Sequence, residues 1–203
     1  GWTSDDTDAA ERVKIQYGTS MCYPVSSMGS HVSVVPNHQL NRKTPLHTRA
    51  NVAYFGTFGY ELDLNKLSYE EISEVKQQIA FMKEYRELIQ FGIFYRLKSP
   101  FEGNETAWMT VSEDKKTALV FWYRERNVVN ADFTRVRLQG LDPDFIYRNE
   151  YNGTENYGDE LMNLGLLTTD CTAGEPTSED APCTDYESRI YVLTTVARIP
   201  SPL

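Results

Sequence analysis

The sequence predicts an α/β segment followed by an all-β segment. Residues 1–91 alternate between helical and strand-like patterns, which is typical of an α/β fold. After Gly92 the hydrophobic period changes from helical spacing to alternation, which indicates an antiparallel β-sandwich over 92–203. Apolar residues make up 40% and charged residues 24% of the 203 positions, an ordinary composition for a protein with a buried core.

The first segment is predicted to alternate helix, strand, helix, strand and helix. In chain order the predictions are a helix over 9–17 that is capped by the preceding Asp residues and ended by Gly18, a strand over 19–25, a loop over 26–44, a helix from Pro45 to about Phe55, and a strand over 58–64. The final helix has the clearest signals. Ser68 and Glu71 form a capping box, and apolar residues then recur on one face until Gly92.

The second segment contains five candidate strands separated by turn residues. They cover 93–97, 106–112, 117–124, 134–138 and 189–196. Residues 170–187 hold six acidic residues and no Lys or Arg, with Gly, Pro, Ser and Thr throughout. This composition predicts a solvated acidic loop insertion before the last strand.

Charge and hydropathy exclude several kinds of partner. The chain has 29 acidic and 20 basic residues, and its net charge of -9 repels nucleic acid and anionic membranes. No apolar run reaches the roughly 20 residues that span a bilayer. The chain opens at Gly1 without Met or a signal-peptide pattern, so we expect a fragment or a processed chain.

The cysteines and two sequons bear on the cellular compartment. Cys22 lies in the apolar stretch Met21-Cys22-Tyr23 and is predicted to be buried and inert. Cys171 and Cys183 bracket the acidic loop and could form a disulfide or stay as two reduced thiols. Asn104-Glu105-Thr106 and Asn152-Gly153-Thr154 are N-glycosylation sequons. The compartment stays open, with an extracellular location slightly favoured over the cytoplasm.

The densest polar motif is Trp2-Thr3-Ser4-Asp5-Asp6-Thr7-Asp8, which places three carboxylates beside an indole. Acid/base catalysis needs a carboxyl with a raised pKa, and crowded like charges beside an aromatic wall can provide one. The alternative is a helix N-cap with acidic residues in the first turn. A calcium loop is disfavoured because the Gly and the distal Glu of a helix-loop-helix site are missing.

Other catalytic patterns have less support. His31, His38 and His47 lack the close spacing of a zinc site, so no metal is expected. His31 is a candidate pocket residue, with a structural role as the equal alternative. No Gly-x-Ser-x-Gly elbow and no glycine-rich phosphate loop occur, which argues against serine hydrolases and nucleotide enzymes.

Several longer strings resemble the α-galactosidases of glycoside hydrolase family 36. They occur in family order over residues 1 to 165. The matching strings are Trp2-Thr3-Ser4-Asp5-Asp6-Thr7-Asp8-Ala9, Ile15-Gln16-Tyr17-Gly18-Thr19-Ser20, Gly29-Ser30-His31-Val32-Ser33, Pro36-Asn37-His38-Gln39, Phe55-Gly56-Thr57-Phe58-Gly59-Tyr60-Glu61-Leu62-Asp63-Leu64 and Pro100-Phe101-Glu102-Gly103-Asn104-Glu105-Thr106-Ala107-Trp108.

The resemblance implies a particular domain organisation. Residues 1–91 would be the last strands and helices of a catalytic (β/α)8 barrel, which is the C-terminal third of such a TIM barrel. Residues 92–203 would be the C-terminal antiparallel β-sandwich. A complete barrel takes about 250 residues, so most of it would lie outside this chain.

The resemblance also implies a retaining mechanism and roles for individual residues. The general acid/base follows the Ser of a Trp-x-Ser-Asp motif, which makes Asp5 the candidate and Asp6 the runner-up. Asp8 would cap the helix or orient its neighbour, and Trp2 would form a wall of the site. The nucleophile belongs to a Lys-Trp-Asp motif that these residues lack, so the chain alone is expected to be inactive.

The function implied for the intact protein is cleavage of terminal α-galactosyl residues from melibiose- or raffinose-type sugars. No cofactor is expected, and the full-length protein is expected to form a homo-tetramer, as several family members do. A non-catalytic carbohydrate-binding or structural β-sandwich module is the alternative from another functional class. A related transglycosylase, in which a sugar hydroxyl replaces water, is the nearer alternative.

Overall fold

The computed structural model describes residues 1–128, 133–168 and 185–198. The chain divides into two compact units, Gly1–Gly92 and Ile93–Leu203. Each unit has its own secondary structure and is described separately.

The first unit alternates helices and strands, as the sequence predicts. Its elements are α1 (Ala9–Thr19), a 3-10 helix (Val25–Ser27), β1 (Gly29–Ser33), α2 (Leu46–Ala53), β2 (Thr57–Glu61), a second 3-10 helix (Leu64–Lys66) and α3 (Tyr69–Phe91). Strands β1 and β2 pair in parallel, from Gly29 beside Thr57 to Ser33 beside Glu61. Because α2 connects them, the three elements form a βαβ unit.

The strand predicted over 19–25 is wrong, and β1 lies instead within the segment predicted as a loop. The backbone N–H groups of Cys22 and Tyr23 both donate to the Thr19 carbonyl, so the chain continues in turns after α1. Met21 and Tyr23 are exposed, and the prediction that Cys22 is buried is also wrong. These side chains lie in a turn at a helix end.

The three helices begin where local sequence signals place them. At α3 the Ser68 N–H donates to Glu71 Oε2 at 2.8 Å, and the Glu71 N–H donates to Ser68 Oγ at 3.2 Å, which confirms the capping box. Helix α2 follows Pro45. At the end of α2 the chain passes close to β1, because a Cβ on Gly56 would lie 2.3 Å from Ser30 Oγ.

The second unit is built on one antiparallel sheet of six strands. The strands are β3 (Ile93–Lys98), β4 (Glu105–Val111), β5 (Thr117–Arg124), β7 (Phe145–Asn149), β8 (Glu155–Tyr157) and β10 (Glu187–Arg198), in the order β3-β4-β5-β10-β7-β8. The remaining elements are β6 (Arg135–Val136), α4 (Gly158–Asn163) and β9 (Leu166–Leu167). Strands β6 and β9 pair with each other in a separate two-stranded sheet.

An apolar cluster joins the large sheet to the segment that carries β6, α4 and β9. From the sheet it includes Met109, Val120, Trp122 and Tyr191, and from the covering segment Val136, Leu138, Leu141, Leu161 and Leu166. This two-layer packing is consistent with the predicted β-sandwich. All five predicted strands are present, although the one predicted over 134–138 is reduced to two residues, while β7, β8 and β9 are additional.

The asparagines of the two N-glycosylation sequons differ in their surroundings. The Asn104 side chain is engaged, since its Nδ2 donates to the Arg126 carbonyl at 2.7 Å and its Oδ1 accepts from the Arg126 N–H at 2.9 Å. Asn152 lies exposed between β7 and β8.

Cys171, Cys183 and most of the predicted acidic loop lie outside the described residues. Within the described ranges, no helix has the length and apolar character needed to cross a membrane.

Candidate active site

The acidic motif forms a tight loop that leads into α1. The Gly29 N–H donates to the Gly1 carbonyl at 2.8 Å, so the start of the chain runs beside β1. Two side-chain turns follow, because Ser4 Oγ accepts from the Asp6 N–H at 3.0 Å and Asp6 Oδ1 accepts from the Asp8 N–H at 2.9 Å. These hydrogen bonds hold the backbone around Asp5 in one conformation.

Asp8 is the N-cap of α1, as predicted. Its buried carboxylate accepts from the Glu11 N–H at 3.1 Å and pairs with the Arg42 guanidinium. The carboxylate therefore satisfies a free N–H of the first helical turn and lies at the positive end of the helix dipole. Asp8 is a structural residue that anchors the acidic loop to the helix.

The last residue of β1 and the loop that follows it support the acidic loop from a second side. Ser33 Oγ donates to the Thr7 carbonyl at 2.6 Å, and Asn37 Nδ2 donates to Thr7 Oγ1 at 3.3 Å. Asn37 is itself buried, and its Oδ1 accepts from two backbone N–H groups of its own loop. The residues on both sides of Asp5 are thus fixed by hydrogen bonds that belong to different parts of the first unit.

A cavity of about 390 Å³ opens over this loop. Its lining combines the acidic motif with α1, β1 and β2 and consists of Trp2, Ser4, Asp5, Asp6, Thr7, Arg12, His31, Tyr60 and Glu61. The cavity gathers Trp2, Asp5, Asp6 and His31, which are all the site residues that the sequence predicts. Tyr60 and Glu61 are the last two residues of β2. The cavity thus lies at the carboxyl end of this strand, which is where ligands bind in α/β folds.

Asp5 and Asp6 differ in their surroundings although they are adjacent. Asp5 is exposed, and its carboxylate makes no hydrogen bond or ion pair within the described part of the chain. Asp6 is half-buried, and one of its oxygens accepts the Asp8 N–H. Of these two residues, Asp5 therefore presents both carboxylate oxygens to a molecule in the cavity.

Arg12 carries a buried positive charge on the wall of the cavity. It projects from α1, and its Nη2 donates to the Gly29 carbonyl of β1. Burial lowers the pKa of the Arg12 guanidinium, while the nearby carboxylates of Asp6 and Glu61 raise it. The guanidinium remains charged because arginine stays protonated in proteins at neutral pH.

His31 lies in the middle of β1 rather than in a loop, and its ring faces Glu61. Arg12, Tyr60 and Glu61 were not predicted as cavity residues. The Tyr60 hydroxyl donates to Gln78 Oε1 at 2.8 Å, and burial raises its pKa above the ordinary value of 10.0. Tyr60 therefore contributes a neutral ring to the lining, and its hydroxyl is engaged with α3.

The other histidines do not join this cavity. His38 lies exposed in the loop after β1, and His47 lies exposed on α2. In the described ranges no group of three or more His, Cys, Asp or Glu residues is arranged to hold a metal ion. The polar groups of the cavity are therefore carboxylates, one imidazole, one guanidinium and hydroxyls.

Two family models match the chain, one for each unit. The Melibiase model matches residues 1–92, and the model of the Glycosyl hydrolase family 36 C-terminal domain matches residues 105–193. Alpha-galactosidase AgaA of Geobacillus stearothermophilus is 56% identical over 165 residues, which make up 81% of this chain and 22% of that protein. The bifunctional alpha-galactosidase/sucrose kinase AgaSK of Mediterraneibacter gnavus is 48% identical over 165 residues, which are 81% of this chain and 18% of that protein.

Solved structures give a consistent result. The crystal structure of GH36 alpha-galactosidase AgaA from Geobacillus stearothermophilus matches with a TM-score of 0.86 and 49% identity, over 95% of this chain and 25% of that one. The alpha-galactosidase from Lactobacillus brevis matches with a TM-score of 0.88 and 44% identity, over 98% and 26%. The chain thus spans about a quarter or less of the length of these relatives.

Proposed function

Because the chain belongs to glycoside hydrolase family 36, we propose that it is the C-terminal part of a retaining enzyme that cleaves terminal α-galactosyl residues. The observation that carries the proposal is the cavity of the first unit, which brings Trp2, Asp5 and Asp6 together in the part matched by the Melibiase model. Two relatives support the proposed cleavage of α-galactosyl bonds, because both are named as alpha-galactosidases and are 56% and 48% identical to this chain.

Residues 1–92 are proposed to form the last part of a (β/α)8 barrel. The parallel pair β1 and β2 with its crossover helix α2 is the repeating unit of such a barrel. A barrel needs eight strands, so the remaining strands would come from parts of the intact protein that lie outside these 203 residues. Residues 93–203 then form the accompanying β-sandwich domain.

Asp5 is proposed as the general acid/base. In the first step it donates a proton to the glycosidic oxygen while a carboxylate nucleophile attacks the anomeric carbon, and the bond to the leaving sugar breaks. In the second step Asp5 removes a proton from water, which attacks the same carbon and releases galactose with retained configuration. The nucleophile would lie about 5 to 5.5 Å from Asp5 and belong to the Lys-Trp-Asp motif that is absent from these residues.

The geometry favours Asp5 over Asp6 for this role. A residue that donates and accepts a proton in turn must reach the reacting oxygen, and the Asp5 carboxylate is exposed in the cavity. Asp6 is half-buried and accepts a hydrogen bond from the Asp8 N–H, and its negative charge raises the pKa of Arg12. Asp6 is therefore proposed to position the loop that carries Asp5.

The substrate is proposed to be an α-galactoside of the melibiose or raffinose type. Structures of AgaA variants are known in complex with raffinose and with stachyose, and both match this chain at a TM-score of 0.86 or higher. The Trp2 indole is 78% exposed, so its face is available to pack against the apolar side of a sugar ring. The mechanism uses no cofactor, and the intact protein is proposed to form a homo-tetramer.

The proposal is tested by comparing Asp5→Asn with Asp6→Asn in the intact protein. Raffinose has a poor leaving group that needs protonation, so Asp5→Asn is expected to lower its kcat/KM by about 10² to 10⁴. Dinitrophenyl α-galactoside needs no acid, so its kcat/KM is expected to stay within about tenfold of the unaltered enzyme. The Asp6→Asn variant serves as the neighbouring control and is expected to lose less on raffinose.

Unchanged raffinose turnover in Asp5→Asn would remove Asp5 from the mechanism. Equal losses on both substrates would indicate a structural effect rather than the loss of a proton donor. Absence of α-galactosidase activity in the intact, unaltered protein would favour the alternative of a carbohydrate-binding or structural module.

A further inference from the structure

The turn between β7 and β8 exposes the only Asn-Gly dipeptide of the sequence, Asn152-Gly153. Asn152 is exposed, and its Nδ2 makes no hydrogen bond within the described part of the chain. A Cβ on Gly153 would meet no atom within 4 Å, so the space beside this residue is open. Gly153 has a φ of +72°, which glycine adopts readily because it has no side chain. The turn therefore presents an accessible amide next to an unhindered backbone nitrogen.

The hydrogen bonds of Asn152 bear on the reactivity of its side-chain amide. Asn152 Oδ1 accepts from the Thr154 N–H at 3.1 Å and from Thr154 Oγ1 at 2.8 Å. When a nucleophile adds to Asn152 Cγ, negative charge develops on Oδ1, and donors that already point at this oxygen stabilise that charge. The two donors of Thr154 thus form a small oxyanion hole for attack on the Asn152 side chain.

The nearest nucleophile along the chain is the backbone nitrogen of Gly153. Its N–H donates to the Asn149 carbonyl at 2.7 Å, so this hydrogen bond must open before the nitrogen can lose its proton. The net contribution of such a hydrogen bond corresponds to a factor of about 2 to 13 in the population of the open turn. The fold therefore slows attack by Gly153 without preventing it.

We propose that Asn152 is a deamidation site and that Thr154 assists the reaction. The Gly153 nitrogen loses its proton to a base in the solvent and forms a bond to Asn152 Cγ. The bond from Cγ to Nδ2 then breaks, and Nδ2 takes up a proton and leaves as ammonia. A water molecule opens the resulting succinimide ring at either carbonyl, which gives an aspartate or an isoaspartate at position 152. One water is consumed and one ammonia is released, without an oxidant or a reductant.

The isoaspartate product is expected to loosen the edge of the large sheet. Its main chain runs through the former side chain, which adds one carbon atom to the backbone of the turn. Two hydrogen bonds cross this turn, from the Gly153 N–H to the Asn149 carbonyl and from the Asn149 N–H to the Thr154 carbonyl. Both lose their alignment when the backbone lengthens. Strand β8 has three residues and lies at the edge of the sheet, so it is expected to open more often.

Peptide mapping by mass spectrometry after incubation at mildly alkaline pH tests the proposal in the intact protein. The protein is produced without N-glycosylation, because a glycan on Asn152 Nδ2 would block the loss of ammonia. Conversion at Asn152 is expected to be at most about 13-fold slower than in a free peptide with the sequence of residues 149–154. Asn104 is the matched control and is expected to stay unmodified, because its side chain makes two hydrogen bonds to the Arg126 backbone.

Two substitutions of Thr154 test its assistance. Thr154→Ser keeps the hydroxyl and is expected to react as the unaltered protein does. Thr154→Val keeps the shape but removes the donor, so it is expected to react about 2-fold to 13-fold more slowly than Thr154→Ser. In free peptides, which have no fixed turn, the two variants are expected to react at similar rates. The converted protein carries one more negative charge and can be separated by ion exchange, and its amide exchange over 155–157 is expected to be faster.

The outcomes bear on the modification and on the proposed function separately. Conversion at Asn152 that is more than about a hundredfold slower than in the free peptide would overturn the proposal, as would equal conversion at Asn104. Equal or faster conversion in Thr154→Val than in Thr154→Ser would overturn the role of Thr154. The reaction involves only the turn between β7 and β8, so an assay for galactose release by the unaltered protein decides the proposed function independently.

Discussion

Asp8→Ala tests whether the buried N-cap holds the acidic loop in place. The substitution removes the acceptor of the Glu11 N–H and one of the carboxylates that pair with Arg42, which also contacts Glu11. Loss of a cap costs about 1 kcal/mol, and loss of a hydrogen bond to a charged group costs about 1.5 to 3 kcal/mol. The sum predicts that the free energy of local opening at the start of α1 falls by about 3 kcal/mol.

Amide hydrogen exchange measured by mass spectrometry reports this change locally in the intact protein. Exchange in the peptide that contains residues 9–17 is expected to accelerate by roughly 150-fold, since each 1.36 kcal/mol is a factor of about ten. Asp8→Asn keeps a capping oxygen and loses only the charge, so it is expected to accelerate exchange by about tenfold.

Ser68→Ala provides a matched control at another helix. Ser68 caps α3 at an exposed position and carries no charge. Its replacement is expected to lower the free energy of local opening by about 1 kcal/mol, which makes exchange at the start of α3 roughly fivefold faster. Equal exchange rates in Asp8→Ala and Asp8→Asn, or a smaller change in Asp8→Ala than in Ser68→Ala, would contradict a role for the Asp8 carboxylate in holding the acidic loop.

The remaining predictions concern activity, packing and pH. The purified 203-residue chain is expected to release no galactose from melibiose, because it lacks the nucleophile motif, and Asp5-dependent release would contradict this. Gly56→Ala is expected to lower stability by about 1 to 3 kcal/mol, seen as a lower Tm, because its Cβ would lie 2.8 Å from the Met28 carbonyl oxygen; an unchanged Tm would show that the backbone yields. The Tyr147 hydroxyl donates to the Lys115 carbonyl at 2.7 Å, so Tyr147→Phe is expected to destabilise the second unit by about 1 to 3 kcal/mol, measured by amide exchange. Burial raises the pKa of Tyr147, so the stability that Tyr147 adds relative to Phe is complete below the unfolded-state pKa of about 10 and decreases as the pH rises above it. A stability difference that did not decrease in this range would contradict a buried, neutral Tyr147 hydroxyl.

Local signals were sufficient to predict the helices. The cap at Ser68, the Pro before α2 and the Asp before α1 each satisfy or replace backbone groups within a few residues, so tertiary structure is not needed to recognise them. Strands β4 and β5 were equally readable, because both are short runs rich in apolar residues.

Strand β1 illustrates what the sequence could not reveal. Gly29-Ser30-His31-Val32-Ser33 has one β-branched residue and little alternation, so its strand conformation depends on pairing with β2. Ser30 is fully buried only because its hydroxyl donates to the Ala53 carbonyl at the end of α2. By contrast, Met21-Cys22-Tyr23 is apolar enough for a strand but is held in turns by the end of α1.

The candidate site shows the same limit. The acidic motif, Trp2 and His31 were recognisable from sequence, but Arg12 and Glu61 carry no local signal for a cavity. Arg12 lies within a helical pattern. Its place on the cavity wall depends on the hydrogen bond that its Nη2 donates to the Gly29 carbonyl of β1. Glu61 ends a strand, and its position beside His31 depends on the register of β1 and β2.

Chemical rescue of Asp5→Ala in the intact protein shows whether Asp5 is the general acid/base. With dinitrophenyl α-galactoside the galactosyl-enzyme forms without an acid, and azide can then attack the anomeric carbon without a base. We expect added azide to accelerate turnover and to give α-galactosyl azide, with the configuration retained. A variant that azide does not rescue, or one that yields the β-azide, would contradict the assignment of Asp5 as the acid/base.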